Sequence, residues 1–377
     1  MESSRHLYHF LGVFLFIFSS LQNSVCESGA LGINYGRVAD NLPSPPQVVQ
    51  LLNTQGITKV KLYDADSTVL SALSGSGIAV TVALPNEQLS SAAAADQSFT
   101  DTWVQSNILP YHPSTLFEAI AVGNEVFVDP KNTTGFLLAA MKNVYASLLK
   151  YELASSIKVT SPIALSALQA SYPPSSGAFI SDLVEPVIKP MLNFLKQTGS
   201  YLMVNAYPFF AYTENTETIS LDYALFGDYP GLVDPNNGLV YKNLFEAQID
   251  SVFAAMNAVG FSDVKVVISE TGWPSKGDEH EIGASEANAA AYNGNLVRRV
   301  LTGGGTPLKP DEPLQVYIFA LFNENQKPGR TSERNFGLFY PDGRKVYDIP
   351  LTADNIKGQA LPPSTGGDDA GDFSSGD

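Results

Sequence analysis

Cysteine is nearly absent: one copy in 377 residues, Cys26, and it falls in the N-terminal stretch. That excludes a disulfide framework within the chain, and beyond that stretch it excludes a cysteine nucleophile or a thiolate-held metal. Histidine is almost as scarce. Its four copies are His6, His9, His112 and His280, and none sits in a metal-binding spacing. No metal and no organic cofactor is therefore expected, and a Ser-His-Asp triad would have to rest on His112 or His280. Basic residues are also few. The 22 Lys and Arg stand against 38 Asp and Glu, for a net charge of -16. A polyanion would be repelled, which argues against nucleic acid as a partner, whereas a neutral ligand is not penalised. No Gly-rich dinucleotide or P-loop fingerprint follows the first predicted strand. Chemistry is left to carboxylates, hydroxyls, amides and aromatic rings.

Long apolar runs are missing too, except for Phe10 to Phe18. Arg5 and His6 precede it and small polar residues follow, the layout of a secretory signal peptide. A membrane anchor is the alternative, but a span needs about 20 apolar residues. The expected organisation is a signal peptide over 1–26, cut somewhere in 24–30, a folded domain over 30–355, and a disordered Gly/Ser/Asp tail over 356–377. Asn132-Thr133-Thr134 is a glycosylation sequon with Asn132 as acceptor, in keeping with export. Small residues at Ser374, Ser375 and Gly376 are followed by no apolar tail of the kind a lipid-anchor signal needs.

What is present is a regular alternation. Strand-like runs are Leu31–Tyr35, Lys59–Tyr63, Ile78–Leu84, Ala119–Val122, Ile157–Ile163, Leu202–Tyr207, Val264–Ser269 and Gln315–Leu321. Between them lie helical patterns such as PPQVVQLLNTQG, TGFLLAAMKNVYASLLKYEL, NLFEAQIDSVFAAMNAVG and SEANAAAYNGNLVRRVL. Pro186 and Pro190 predict an irregular helix in DLVEPVIKPMLNFLKQTG. Arg298 and Arg299 read as a solvated helix end. Eight strands alternating with helices predict an α/β fold, a (β/α)8 TIM barrel, with an open doubly wound sheet as runner-up. The connection from Pro208 to Asn243 is too long for an ordinary loop and predicts an inserted subdomain after strand six.

In such a barrel the chemistry sits at the C-terminal ends of the strands. Strand four ends in Asn124-Glu125, strand seven in Glu270, and strand eight runs into Asn323, Glu324, Asn325 and Lys327. Alone, either Glu125 or Glu270 would read as a salt bridge or a cap. As a pair at strand ends across one barrel mouth, each with a glycine two residues away, they suit glycoside cleavage. One carboxyl must give a proton while the other stays ionised. The Asn124 amide can bond a sugar hydroxyl beside the reacting carbon. In YPFFAY, Tyr207 ends a strand and suits a sugar face; Phe209 and Phe210 fit either that use or packing of the insertion. Trp273-Pro274 reads as a stiffener of the turn that holds Glu270. Lys327 is either a solvated lysine or a cation that keeps Glu324 ionised.

VVISETGWPS, together with GINYGRVADNLPSP, VKLYDAD, AVGNEV, VNAYPFF, ASEANAAAYNGNLV, FALFNENQKPG and SERNFGLFYPDGRKVYDI, resembles glycoside hydrolase family 17, the plant endo-1,3-β-glucanases, in the right order from Gly32 to Ile349. The resemblance implies a retaining barrel hydrolase of internal 1,3-β-glucosidic bonds. By position Glu270 matches the nucleophile and Glu125 the acid/base. Glu324 and Lys327 match supporting polar residues, and Tyr35, Tyr207 and Phe322 match contacts lining the cleft. Relatives that cut mixed 1,3;1,4-β-glucans share the signature, and a non-catalytic glucan-binding protein on the same barrel is a further alternative. The implied partner is β-1,3-glucan, with no obligatory protein partner and a monomeric state. The implied setting is the cell wall or apoplast, the vacuole, or a lipid-anchored surface form.

Overall fold

The computed structural model describes residues 29–358. All eight predicted strands form: Ala30–Asn34, Lys59–Lys61, Ala79–Leu84, Leu116–Val122, a fifth in two pieces (Lys158–Thr160 and Pro162–Ala164), Tyr201–Asn205, Lys265–Thr271 and Gln315–Ile318. Every pairing among them is parallel. The ladder runs from the first piece of strand five through strands four, three, two, one, eight, seven and six to its second piece, which brings the ring round on itself. Strand five changes neighbours at Ser161, just before Pro162, which has no N–H to give a ladder.

Alternation sorts the side chains. Val80, Val82, Ile120, Val122, Leu202, Val204 and Ile268 point outward into the large core under the helices. Ala83, Ala121, Met203, Val267 and Tyr317 form a separate core inside the barrel. Below it Glu118 pairs with Lys59 (2.5 Å) and accepts from the Tyr317 hydroxyl (2.9 Å). Above it lies the mouth.

The main helices follow their sequence signals. Pro45–Thr54 starts with a Ser44–Gln47 capping box, and Gly56 just beyond takes φ +70°. Leu137–Lys150, Leu244–Ala258 and Glu286–Leu301 match the expected periodic runs. The proline-bearing segment is irregular as predicted, with one wide π turn over Val184–Ile188 ahead of Lys189–Gln197. Two helices, Ser67–Leu73 and Ser98–Asn107, were not expected. The first is too short to show a period and is held by its cap, Asp66, which accepts from the Thr68 and Val69 amides. Arg299 is not a solvated end: its guanidinium meets buried Glu246 at 2.6 Å.

Residues 208–243 contain two short helices, Pro208–Glu214 and Leu221–Ala224, and a hairpin of Leu232–Val233 with Val240–Tyr241. Their small core of Tyr223 and Tyr241 is completed by Ala247 from the barrel helix. The excursion is thus packed as a wall of the barrel. A last helix spans Ala353–Gly358, across the expected boundary at 355. The predicted signal peptide and the tail from 359 on lie outside the described residues.

Trp273 is fully buried and stiffens the turn after strand seven. Its indole N–H donates to the Gly283 carbonyl (2.8 Å), and its ring meets Phe209, Tyr212 and Tyr292 at 5.2–5.8 Å. Gly272 before it lies so close to Phe319 that a Cβ would stand 2.0 Å from that carbonyl oxygen. Trp273→Ala is expected to lower stability by about 3–5 kcal/mol, read as a fall in the denaturation midpoint at constant slope.

Candidate active site

A break in the alternation aims Glu270 into the mouth. Lys265, Val267 and Ser269 share the inward parity of strand seven, so Glu270 would face the helices. The register with strand six shifts between Ile268 and Glu270, and this bulge turns the carboxylate back toward the mouth. Glu125 is aimed by a different device. Gly123 and Glu125 both adopt left-handed conformations, φ +69° and +50°. For a non-glycine residue this costs on the order of 1–3 kcal/mol and persists only where the surroundings enforce it. Here Asn86 clasps Asn124 by both its amide N–H (2.8 Å) and its carbonyl (2.9 Å), and the Glu125 amide donates to the Pro162 carbonyl (2.9 Å).

The two carboxylates line one cleft of about 1020 Å³, at the upper end of the usual range for ligand sites. Asn205 links the strands that carry them. Its amide donates to Glu125 Oε1 (2.9 Å), and its carbonyl oxygen accepts from the hydroxyl of Ser269, the neighbour of Glu270 (2.6 Å). Glu270 itself is 5% exposed. Its Oε1 accepts from Lys61 Nζ (3.0 Å) and its Oε2 from the Tyr207 hydroxyl (2.8 Å).

These surroundings drive the pair apart. Burial by itself would raise the Glu270 pKa, but the Lys61 ammonium and the hydrogen bonds from Lys61 and Tyr207 outweigh it and hold it below the ordinary value. Burial raises Glu125, the charge of Glu270 raises it further, and Asn205 and Lys61 only partly offset this. One carboxyl is thus kept ionised and the other is pushed toward its acid form. Tyr63 and Tyr207 are raised by burial and by the same Glu270 charge, so both remain donors.

The other expected site residues divide. Tyr35, Asn124, Tyr207, Glu324 and Lys327 line the cleft. Phe322 does not: it is 1% exposed and sits behind Tyr35, ring centroids 6.1 Å apart, where it props the residue it was expected to stand beside. Lys327 is neither solvated nor bonded to Glu324. It pairs with Glu333 (3.2 Å) and lies over the Phe319 ring (4.3 Å). Burial raises the Glu324 pKa, and the Lys327 charge only partly offsets this. Glu324 instead accepts from the Val38 amide (2.8 Å), joining the loops after strands one and eight. Gly36 is needed there, because a Cβ would stand 2.4 Å from that carboxylate. Phe209 is core and Phe210 lines the cleft. Asn132 is exposed and is not among the residues lining the cleft.

Lys61, Tyr63 and Asn205 were missed. A signal for Lys61 exists: it shares the inward parity of strand two with Lys59, and a lysine facing a barrel interior must find an anion.

The sequence over 31–351 matches the model for glycosyl hydrolases family 17. The chain is 46% identical over 350 residues to glucan endo-1,3-beta-glucosidase 14 of Arabidopsis thaliana, covering 93% of this chain and 88% of that protein. Among solved structures it is similar to CJP38, a beta-1,3-glucanase and allergen of Cryptomeria japonica pollen (40% identity, TM-score 0.82, 86% of this chain and 99% of that one). It is equally similar in sequence to a chain from a study of two plant beta-glucan endohydrolases with distinct substrate specificities (40% identity, TM-score 0.78, 85% and 99%).

Removing one member of the Lys61–Glu270 pair strands the other as a buried, unpaired charge. Lys61→Met and Glu270→Gln are each expected to cost about 3–5 kcal/mol. The double variant should recover a large part of that loss in a denaturant double-mutant cycle.

Proposed function

The chain belongs to glycosyl hydrolases family 17, and from that premise we propose that it hydrolyses internal 1,3-β-glucosidic bonds of β-1,3-glucan with retention, Glu270 acting as nucleophile and Glu125 as acid/base. The observation that carries this reading is that both carboxyls line one cleft, Glu270 in contact with the Lys61 ammonium and the Tyr207 hydroxyl and Glu125 bonded to a neutral amide, an arrangement that displaces their pKa values in opposite directions. Glu125, held toward its acid form, donates its proton to the departing glycosidic oxygen as the C1–O bond breaks. Glu270, held ionised, bonds to C1 on the other side. In the second half, water bonds to C1 and yields a proton to Glu125, and the electron pair of the C1–Glu270 bond returns to the carboxylate. Retention corresponds to a carboxyl separation of about 5–5.5 Å.

The cleft suits a neutral polymer. Tyr35, Tyr63, Tyr207, Phe210, Phe319 and Phe336 supply ring faces and edges, and Asn124 and Tyr207 supply polar partners for hydroxyls. The proposed setting is the secretory route and the cell wall, apoplast or vacuole. A glycan on exposed Asn132 would leave the cleft open. The proposed partner is the polysaccharide alone, bound by a monomer.

Product analysis on linear 1,3-β-glucan and on mixed-linkage glucan tests the reading. The expected result is a ladder of oligosaccharides from the first, with the β-anomer released initially by NMR. Preferential cleavage of the second would move the assignment to mixed-linkage substrates, a live distinction because the similar solved plant endohydrolases differ in specificity. Binding without release would make the protein a glucan-binding one. Glu270→Gln should remove hydrolysis at least 10³-fold while the protein stays folded, a loss of about 4 kcal/mol in transition-state stabilisation.

The pH profile follows from the two shifts. kcat/KM should rise as pH climbs through the lowered Glu270 pKa and fall as it climbs through the raised Glu125 pKa. Asn205→Ala removes a donor that favours ionised Glu125, so the alkaline limb should move to higher pH. An unmoved or lowered alkaline limb would detach Glu125 from the acid role.

A further inference from the structure

Lys61 is a buried lysine at the second strand's end, 1% exposed, with its ammonium committed to the cleft floor. Besides Glu270 Oε1 at 3.0 Å, it meets Asn34 Oδ1 at 3.3 Å and lies over the Tyr63 ring at 4.0 Å. Asn34 is itself fixed: its amide donates to the carbonyls of Ser269 (3.0 Å) and Ile318 (3.2 Å), and its oxygen accepts from the Tyr63 hydroxyl (3.1 Å). The cation is therefore held by strands one and two whether or not Glu270 is charged.

Charge on Glu270 changes twice in a retaining cycle. It is lost when the carboxylate bonds to C1, and the fixed cation opposes that loss. It returns when the C1–O bond to Glu270 breaks, and the cation favours that return. We propose that Lys61 is a positioning residue whose main kinetic effect lies in the second half of the reaction, where it makes Glu270 the better leaving group from its glycosyl ester. The proposal rests on the retaining reading above. The step balances without a further reactant: water supplies the oxygen that bonds to C1, its proton passes to Glu125, and the electron pair of the broken bond restores the carboxylate beside Lys61. The ammonium gives up no proton and stays a spectator charge. Glu125 and Glu324 also face this region and feel the charge of Glu270, but among the described residues Lys61 is the cation in contact with the carboxylate whose charge the covalent step switches.

The test uses the full chain and an aryl β-1,3-linked glucobioside whose phenol leaves easily, so that the first step is fast. Wild type should show retention and rapid steady turnover after any initial burst. Lys61→Met should show an initial burst of phenol and then slow turnover, with kcat down at least tenfold and KM down as the ester accumulates. Intact-mass measurement after acid quench should detect protein heavier by one glycosyl unit, and the acid limb of kcat/KM should move to higher pH. Lys61→Arg should restore part of kcat. Lys61→Gln, polar and of similar length, takes the place of the methionine variant if that one does not fold and carries the same expectation. A folded variant with no burst, no ester and an unmoved acid limb would overturn the role of Lys61 alone. A wild-type enzyme that inverts configuration, or fails to cleave the substrate, would overturn this inference and the retaining reading together.

Discussion

A carboxylate buried at the end of an oily strand is tolerated only with a counter-charge, and in this protein the counter-charge is Lys61. Moving either ion from water costs several kcal/mol, and the attraction between them offsets this only with close geometry and satisfied remaining bonds. The surroundings supply both. Glu270 takes one donor per oxygen, from Lys61 and Tyr207. Lys61 finds a second acceptor in Asn34 and a ring face in Tyr63. Asn34 then reaches to the backbone of strands seven and eight. Around this one pair the inner polar residues of strands one, two, six and seven and the backbone of strand eight fall into place, which ties the electrostatics of the mouth to closure of the ring.

The asymmetry of the two glutamates follows from the same constraint. Glu270 has the cation at contact; Glu125 is within its field but bonded only to a neutral amide. Once Glu270 is ionised, its charge opposes ionisation of Glu125. The more deeply buried carboxyl is thus the one kept ionised, an outcome set by the position of one ammonium. The backbone strain divides likewise. Glu270 is turned by a bulge within a strand, whereas Glu125 sits in a left-handed turn enforced by Asn86 and Pro162. Both devices place a side chain where regular strand geometry would not.

Much of this was readable in the residues, and the limits have identifiable causes. Eight apolar runs alternating with helical patterns specified the barrel, because buried parallel strands need little beyond branched and aromatic residues between turn signals. Glu125 and Glu270 stood out as carboxylates at strand ends. The bulge that aims Glu270 left no mark, since Ile268, Ser269 and Glu270 look the same with or without a register shift. Lys61 was passed over because KVKLYDAD reads as an ordinary half-buried strand until its inner face is known. Phe322 failed for the reverse reason: the family resemblance suggested the cleft, while the chain direction after strand eight turns its ring under Tyr35. The short helix Ser67–Leu73 was invisible to periodicity and owed to a single cap.

The acidic surface and the aromatic cleft are complementary rather than opposed. A net charge of -16 repels polyanions but exerts no force on an uncharged chain, so it does not oppose the proposed attachment to a glucan. Recognition must then come from short-range contact. Sugar rings present C–H faces and hydroxyl edges, and the cleft answers with tyrosine and phenylalanine rings beside carboxylates, amides and hydroxyls. Because such contacts are made with solvent excluded, the same rings that hold a sugar also lower the local dielectric around Glu125 and Glu270. That strengthens the field of Lys61 and the repulsion between the carboxyls at the moment a substrate covers them. On the proposed reading, binding and the separation of acid from nucleophile are two effects of one desolvated surface.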